Sequence, residues 1–65
     1  MEFVFLNKIN PNLESIHQLV YASDMTNKQI QYCIWHEDSK TLICRFLEEL
    51  NQEDKEILDN IIRGL

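Results

Sequence analysis

Residues 29–50 read QIQYCIWHEDSKTLICRFLEEL and hold Trp35, Phe46 and both cysteines, so the remainder of the chain must pack around them. Two runs, 29–37 and 40–47, are rich in Ile, Tyr, Cys, Trp, Thr and Phe and flank Asp38-Ser39. That is the pattern of a β-hairpin. A two- or four-residue loop centred there sets Trp35 opposite Leu42, Ile34 opposite Ile43 and Cys33 opposite Cys44, and directly opposed residues share a face. One face is then predicted to carry Gln31, Cys33, Trp35, Leu42, Cys44 and Phe46. The other carries Ile30, Tyr32, Ile34, Ile43, Arg45 and Leu47. Both sets are largely apolar, whereas a sheet with one solvated face alternates apolar with polar. The hairpin is therefore expected to be covered on both sides, by the chain's own helices on one and by a second copy or a partner on the other.

A helical reading competes with this one. Leu42, Ile43, Phe46, Leu47 and Leu50 also fall on one side of a helix. Thr26 with Gln29 could form a capping box, and Ser39 could cap a helix over 40–50, giving an all-α chain of four short helices. Against it, Tyr32 and Trp35 lie off the stripe formed by Ile30, Cys33 and Ile34.

Outward from the centre, Phe3, Val4, Phe5 and Leu6 stand in sequence, and 2–9 reads as a first strand buried on both faces. Asn10 as N-cap with Pro11 at the first helical position predicts a helix over 11–22, since proline gives up only a donor that would be unpaired there. Its stripe is Leu13, Ile16 and Val20, with His17 and Tyr21 near the edge and a linker at 23–28. Residues 51–64 predict a second helix. Asn51 can cap it, Glu53, Asp54 and Glu56 place negative charge near its positive dipole end, and Gly64 suits its C-terminus. Ile57, Leu58, Ile61, Ile62 and Leu65 form its inward stripe. The order β-α-β-β-α makes an α+β two-layer sandwich, a three-stranded sheet under two helices, in one domain over 1–65.

Composition narrows the function classes. A 65-residue chain gains only about 3–5 kcal/mol from a single core, and small chains add disulfides, a metal or oligomerisation. Apolar residues at 45% with one Gly and one Pro describe a folded chain without low-complexity segments. The opening MEFVFLNKIN has an acid at Glu2 and no small-residue cleavage site, and the longest apolar run is four residues, so neither a signal peptide nor a membrane span is expected. Two cysteines are too few for a secreted disulfide framework and point to free thiols in a reducing, cytoplasmic setting.

Of the net charge of −5, residues 47–65 contribute −4 through Glu48, Glu49, Glu53, Asp54, Glu56 and Asp59 against Lys55 and Arg63. An acidic surface of this kind repels phosphate backbones and suits a basic protein patch. Nucleic acid is accordingly not an expected partner. Only the helical alternative revives it. There DSKTLICRFLEEL has a loose likeness to the second helix of a helix-turn-helix, offering Ser39, Lys40, Thr41 and Arg45, although the turn glycine is missing and the net charge has the wrong sign.

Chemistry is thinly represented. Cys33 and Cys44, opposed across the hairpin, are either two small hydrophobes making room for Trp35 and Phe46 or a redox-sensitive pair. A four-residue loop would hold their Cα atoms near 4.5 Å and a two-residue loop about 5.5 Å apart. Cys33, His36 and Cys44 do not make a zinc site, because residues 33 and 36 of a strand point to opposite faces and no C-x-x-C or H-x-x-x-H pair completes a tetrahedron. His17 with either cysteine is the one conceivable nucleophile–base pair, and nothing in the spacing joins them.

The expectation is therefore a non-catalytic protein-binding module, a regulator or inhibitor, homodimeric and without cofactor or metal. Its interface is predicted at Tyr32, Ile34, Ile43 and Arg45 on the outer sheet face and at Glu48, Glu53, Asp54 and Glu56 on the acidic surface. A DNA-binding regulator is the alternative.

Overall fold

Over residues 1–6 and 11–65, which the computed structural model describes, the chain runs strand β1 (Glu2–Leu6), helix α1 (Leu13–Ala22), strands β2 (Ile30–His36) and β3 (Thr41–Phe46), and helix α2 (Gln52–Arg63). The strands form one antiparallel sheet in the order β1-β3-β2. β1 and β2 thus run parallel with β3 between them, and α1 carries the chain from one edge to the other. This is the α+β sandwich that the β-α-β-β-α pattern implies. The all-α alternative fails, since 30–36 and 41–46 are strands. With it goes the recognition helix: Ser39 and Lys40 lie in the turn, Thr41 and Arg45 in β3.

The alternation of β3 explains its central place. Leu42, Cys44 and Phe46 are fully buried, while Thr41, Ile43 and Arg45 point the other way. Three cross-strand rows make the core face: Met1–Phe46–Ile30, Phe3–Cys44–Cys33 and Phe5–Leu42–Trp35. Phe3 meets Phe46 edge to face at 5.9 Å. Over these rows α1 lays Ile16 and Val20 and α2 lays Leu58 and Ile62, with Met25 and Leu50 closing the ends. Ile57 and Ile61 are half-buried beside them, whereas Leu65 lies past the end of α2 and is exposed.

The hairpin register agrees with expectation from Tyr32 to His36, including Cys33 opposite Cys44 and Trp35 opposite Leu42. The loop is the four-residue one, 37–40, and Lys40 takes a left-handed φ of 52° to close it. Below Tyr32 the expected register breaks. A bulge at Gln31 leaves Ile30, not Gln31, paired with Phe46. An extra residue in one strand reverses the facing of everything beyond it. Ile30 consequently turns into the core, and Gln31 turns out to receive a hydrogen bond from Arg45 Nε at 3.1 Å.

Two further expectations need correction. β1 is not buried on both faces: Phe3 and Phe5 face the core, but Val4 and Leu6 are 63% and 85% exposed. The expected extension of the strand to residue 9 lies outside the described residues, as does Asn10. α1 starts at Leu13, not at residue 11, because Asn12 is its cap; the Oδ1 atom of Asn12 accepts from Glu14 N at 3.1 Å and Ser15 N at 3.3 Å. α2 is capped as expected, Asn51 Oδ1 accepting from Asp54 N at 2.7 Å.

Candidate interaction surface

With both helices on one side, no element among the described residues covers the opposite face of the sheet. Its middle row is apolar, Val4–Ile43–Ile34, and Leu6 extends it in the next row beside Thr41 and His36. Ile34 is 41% exposed and Ile43 half-buried under its neighbours. The remaining row is polar and joined to itself: Tyr32 donates its hydroxyl hydrogen to Glu2 Oε2 at 2.9 Å, and Arg45 Nη1 lies 3.5 Å from the same oxygen. Of the residues assigned to this face from sequence, Tyr32, Ile34, Ile43 and Arg45 are on it together. Ile30 is not, because of the bulge. Val4 and Leu6 belong to it as well, which the sequence does not signal, since a run of four apolar residues carries no sign of which two face outward.

The acidic surface is only partly as expected. Glu48, Glu53 and Glu56 are exposed, but Asp54 is 1% exposed and takes no part in any surface. Its two carboxylate oxygens each accept one backbone N–H from the linker after α1, Thr26 N at 2.8 Å and Asn27 N at 3.0 Å. An acid at the third position of an Asn-capped helix ordinarily serves its own helix end. Here it fastens α2 to a segment 27 residues earlier, and no local sequence pattern signals that.

A shallow depression of about 280 Å³ adjoins this junction, lined by Thr26, Asn27, Lys28, Gln29 and Glu48. Its polar groups are largely spoken for. Besides the two N–H groups on Asp54, Lys28 Nζ donates to Tyr21 O at 2.9 Å and Gln29 N to Asn27 Oδ1 at 3.0 Å.

The remaining chemistry-bearing residues are placed as follows. Cys33 and His36 sit on opposite faces, Cys33 toward the core and His36 in the outer row. No hydrogen bond joins His17 to either sulfur among the described residues. Both thiols are free, and their sulfurs are 3.7 Å apart. Cys44 is fully buried; the thiol contact with Cys33, then burial and the neighbouring sulfur's charge, hold its proton on, while the contact with Cys44 lowers the Cys33 pKa. At the hairpin end, Glu37 accepts from Trp35 Nε1 at 2.6 Å and pairs with Lys40 at 2.5 Å.

No helix among the described residues is long and apolar enough to cross a membrane. Comparison with protein-family models, with curated proteins and with solved structures finds no match to this chain.

Proposed function

We propose that this chain is a non-catalytic protein-binding module, a regulator or inhibitor that self-associates through the outer face of its sheet. The observation that carries the reading is the run of Val4, Ile34 and Leu6, exposed around a half-buried Ile43 across three strands and covered by no element among the described residues, in a chain whose own core is thin. Burial of such a patch contributes about 25 cal/mol for each Å² removed from water, a gain that a small domain obtains most directly from a second copy. The flanking row favours self-pairing, because Glu2 and Arg45 together are neutral and each finds its opposite charge on an identical face. Glu48, Glu53 and Glu56 would then stay outside the dimer and offer a surface to a basic protein patch.

Light scattering on a size-exclusion column tests this across a dilution series. The expected result is a dimer that becomes a monomer in the Val4→Lys and Ile34→Lys double variant, whose like charges repel across the paired faces, with the far-UV circular dichroism spectrum retained. A wild-type chain that is monomeric at about 100 µM, a concentration far above the Kd expected of a specific interface, overturns the self-association.

A further inference from the structure

The cysteine pair supports an inference that goes beyond the binding reading and does not depend on it. Met1 and Phe46 exchange both backbone hydrogen bonds, Met1 N to Phe46 O at 2.8 Å and Phe46 N to Met1 O at 2.8 Å. Backbone groups alternate along a strand, so Phe46, Cys44 and Leu42 direct theirs toward β1, and Cys44 has none directed at β2. Cys33 and Cys44 therefore form a non-hydrogen-bonded cross-strand pair, the narrower of the two antiparallel sites, where Cα atoms stand about 4.5 Å apart and side chains lie closest. That separation falls within the range a disulfide spans. Both side chains leave the same face, and their sulfurs already touch at 3.7 Å. Cys44 is held by pairing on both sides in the middle strand and is fully buried; Cys33, on an edge strand, is half-buried and the more accessible of the two.

We propose that Cys33 and Cys44 are a reversible dithiol–disulfide couple, oxidised by low-molecular-weight disulfides, with Cys33 as the attacking sulfur and Cys44 as the resolving one. In the first step the Cys33 thiolate bonds to one sulfur of the small disulfide, whose S–S bond breaks and releases one small thiolate. In the second, Cys44 gives up its proton to solvent or to that thiolate, and its sulfur attacks Cys33. The mixed disulfide breaks and the second small thiol leaves. The two protein thiols have lost two electrons and two protons, and the small disulfide has become two thiols. The order follows from access, and the lowered pKa of Cys33 beside the proton-retaining Cys44 acts in the same direction. The new bond would clamp β2 to β3 at mid-strand, one residue from the Ile34–Ile43 pair of the outer face.

The test uses the folded full chain with glutathione disulfide in excess, followed by intact-mass analysis and thiol titration. The expected product has lost two hydrogens, retains no glutathione, titrates no thiols and regains both on reduction. Cys44→Ala is expected to stop at one glutathione on Cys33, and Cys33→Ala to stay unmodified until denatured. A wild-type product that keeps glutathione, links two chains, or appears only in denaturant overturns the proposal. Because the wild-type product decides by itself, the outcome stands even if either variant fails to fold.

Discussion

Removing the Asp54 carboxylate should cost this domain a large share of its stability, although no surface feature changes. Asp54→Ala deletes two charge-assisted hydrogen bonds, at 2.8 and 3.0 Å, each on its own oxygen. Bonds to a charged group are worth about 1.5–3 kcal/mol apiece. Thr26 is exposed and Asn27 half-buried, so water can reach the stranded N–H groups in part, which brings the expected loss to about 2–4 kcal/mol. Domains of this length hold roughly 3–10 kcal/mol in total. With a urea m-value of about 1 kcal/mol per molar, the unfolding midpoint should fall by about 2–4 M. Asp54→Asn keeps one acceptor and turns an amide toward the other N–H, so its midpoint should lie between wild type and Ala. Glu53→Ala, one residue earlier and exposed, should move the midpoint by no more than about 0.5 kcal/mol's worth. If Asp54→Ala is no worse than Glu53→Ala, the carboxylate does not hold the linker and the reasoning fails.

Ile30→Ala should destabilise by about 1–3 kcal/mol as a partly buried core residue, while Gln31→Leu should stay within about 0.5 kcal/mol, the reverse of what an unbulged strand implies; urea titration of both variants compares them. Lys40 holds a φ of 52°, so Lys40→Gly should raise the thermal midpoint by a few degrees, about 0.5–1 kcal/mol, and a lowered midpoint would show that the ion pair outweighs the relief of the left-handed backbone. The Glu37 pKa is lowered, first by the hydrogen bond from Lys40 and then by that from Trp35, so its contribution is present above the ordinary carboxylate range and is lost as the pH falls through the lowered folded value. Trp35 fluorescence should report that loss with a midpoint below 4.5, the ordinary value, and Glu37→Gln should abolish it.

The readable part of this fold was the part governed by pairing rules. A hairpin centred on Asp38-Ser39 admits one facing for Cys33, Trp35, Leu42, Cys44 and Phe46, and the structure has that facing. The four-residue loop and the two-residue loop share it, which is why the register was legible while the loop was not. Ile30 and Gln31 face opposite to the simple alternation because a bulge changes the count without changing the composition: Gln-Ile-Gln-Tyr reads the same with or without it. β1 departs from its pattern for another reason. Phe3 to Leu6 is apolar throughout, and only the absence of a layer over the outer face decides that Val4 and Leu6 meet solvent. Of the surface residues named from sequence, those tied to the hairpin register fell together, whereas Asp54 was assigned by charge alone. A carboxylate on a helix resembles a solvated one until the backbone that fills it is known.

That carboxylate and the bulge are linked through the segment between them. Asp54 fixes Thr26 and Asn27; Asn27 Oδ1 accepts from Gln29 N at 3.0 Å; and Ile30 N bonds to Lys28 O at 2.9 Å. Each bond sets the direction of the next residue, so the linker enters β2 with Ile30 already turned toward Phe46. Leu47 N, bonded to Gln29 O at 3.2 Å, anchors the same entry from the β3 side. A linker freed from Asp54 would lose that constraint, and the register at Ile30 would be left to the bulge alone. Amide hydrogen exchange separates the two contributions: in Asp54→Asn the amides of Thr26, Asn27 and Ile30 should exchange faster while those of Tyr32 and Ile34, held by β3, keep their protection. Uniform loss of protection along β2 would instead show that the strand opens as one unit, with the polar junction acting only on global stability.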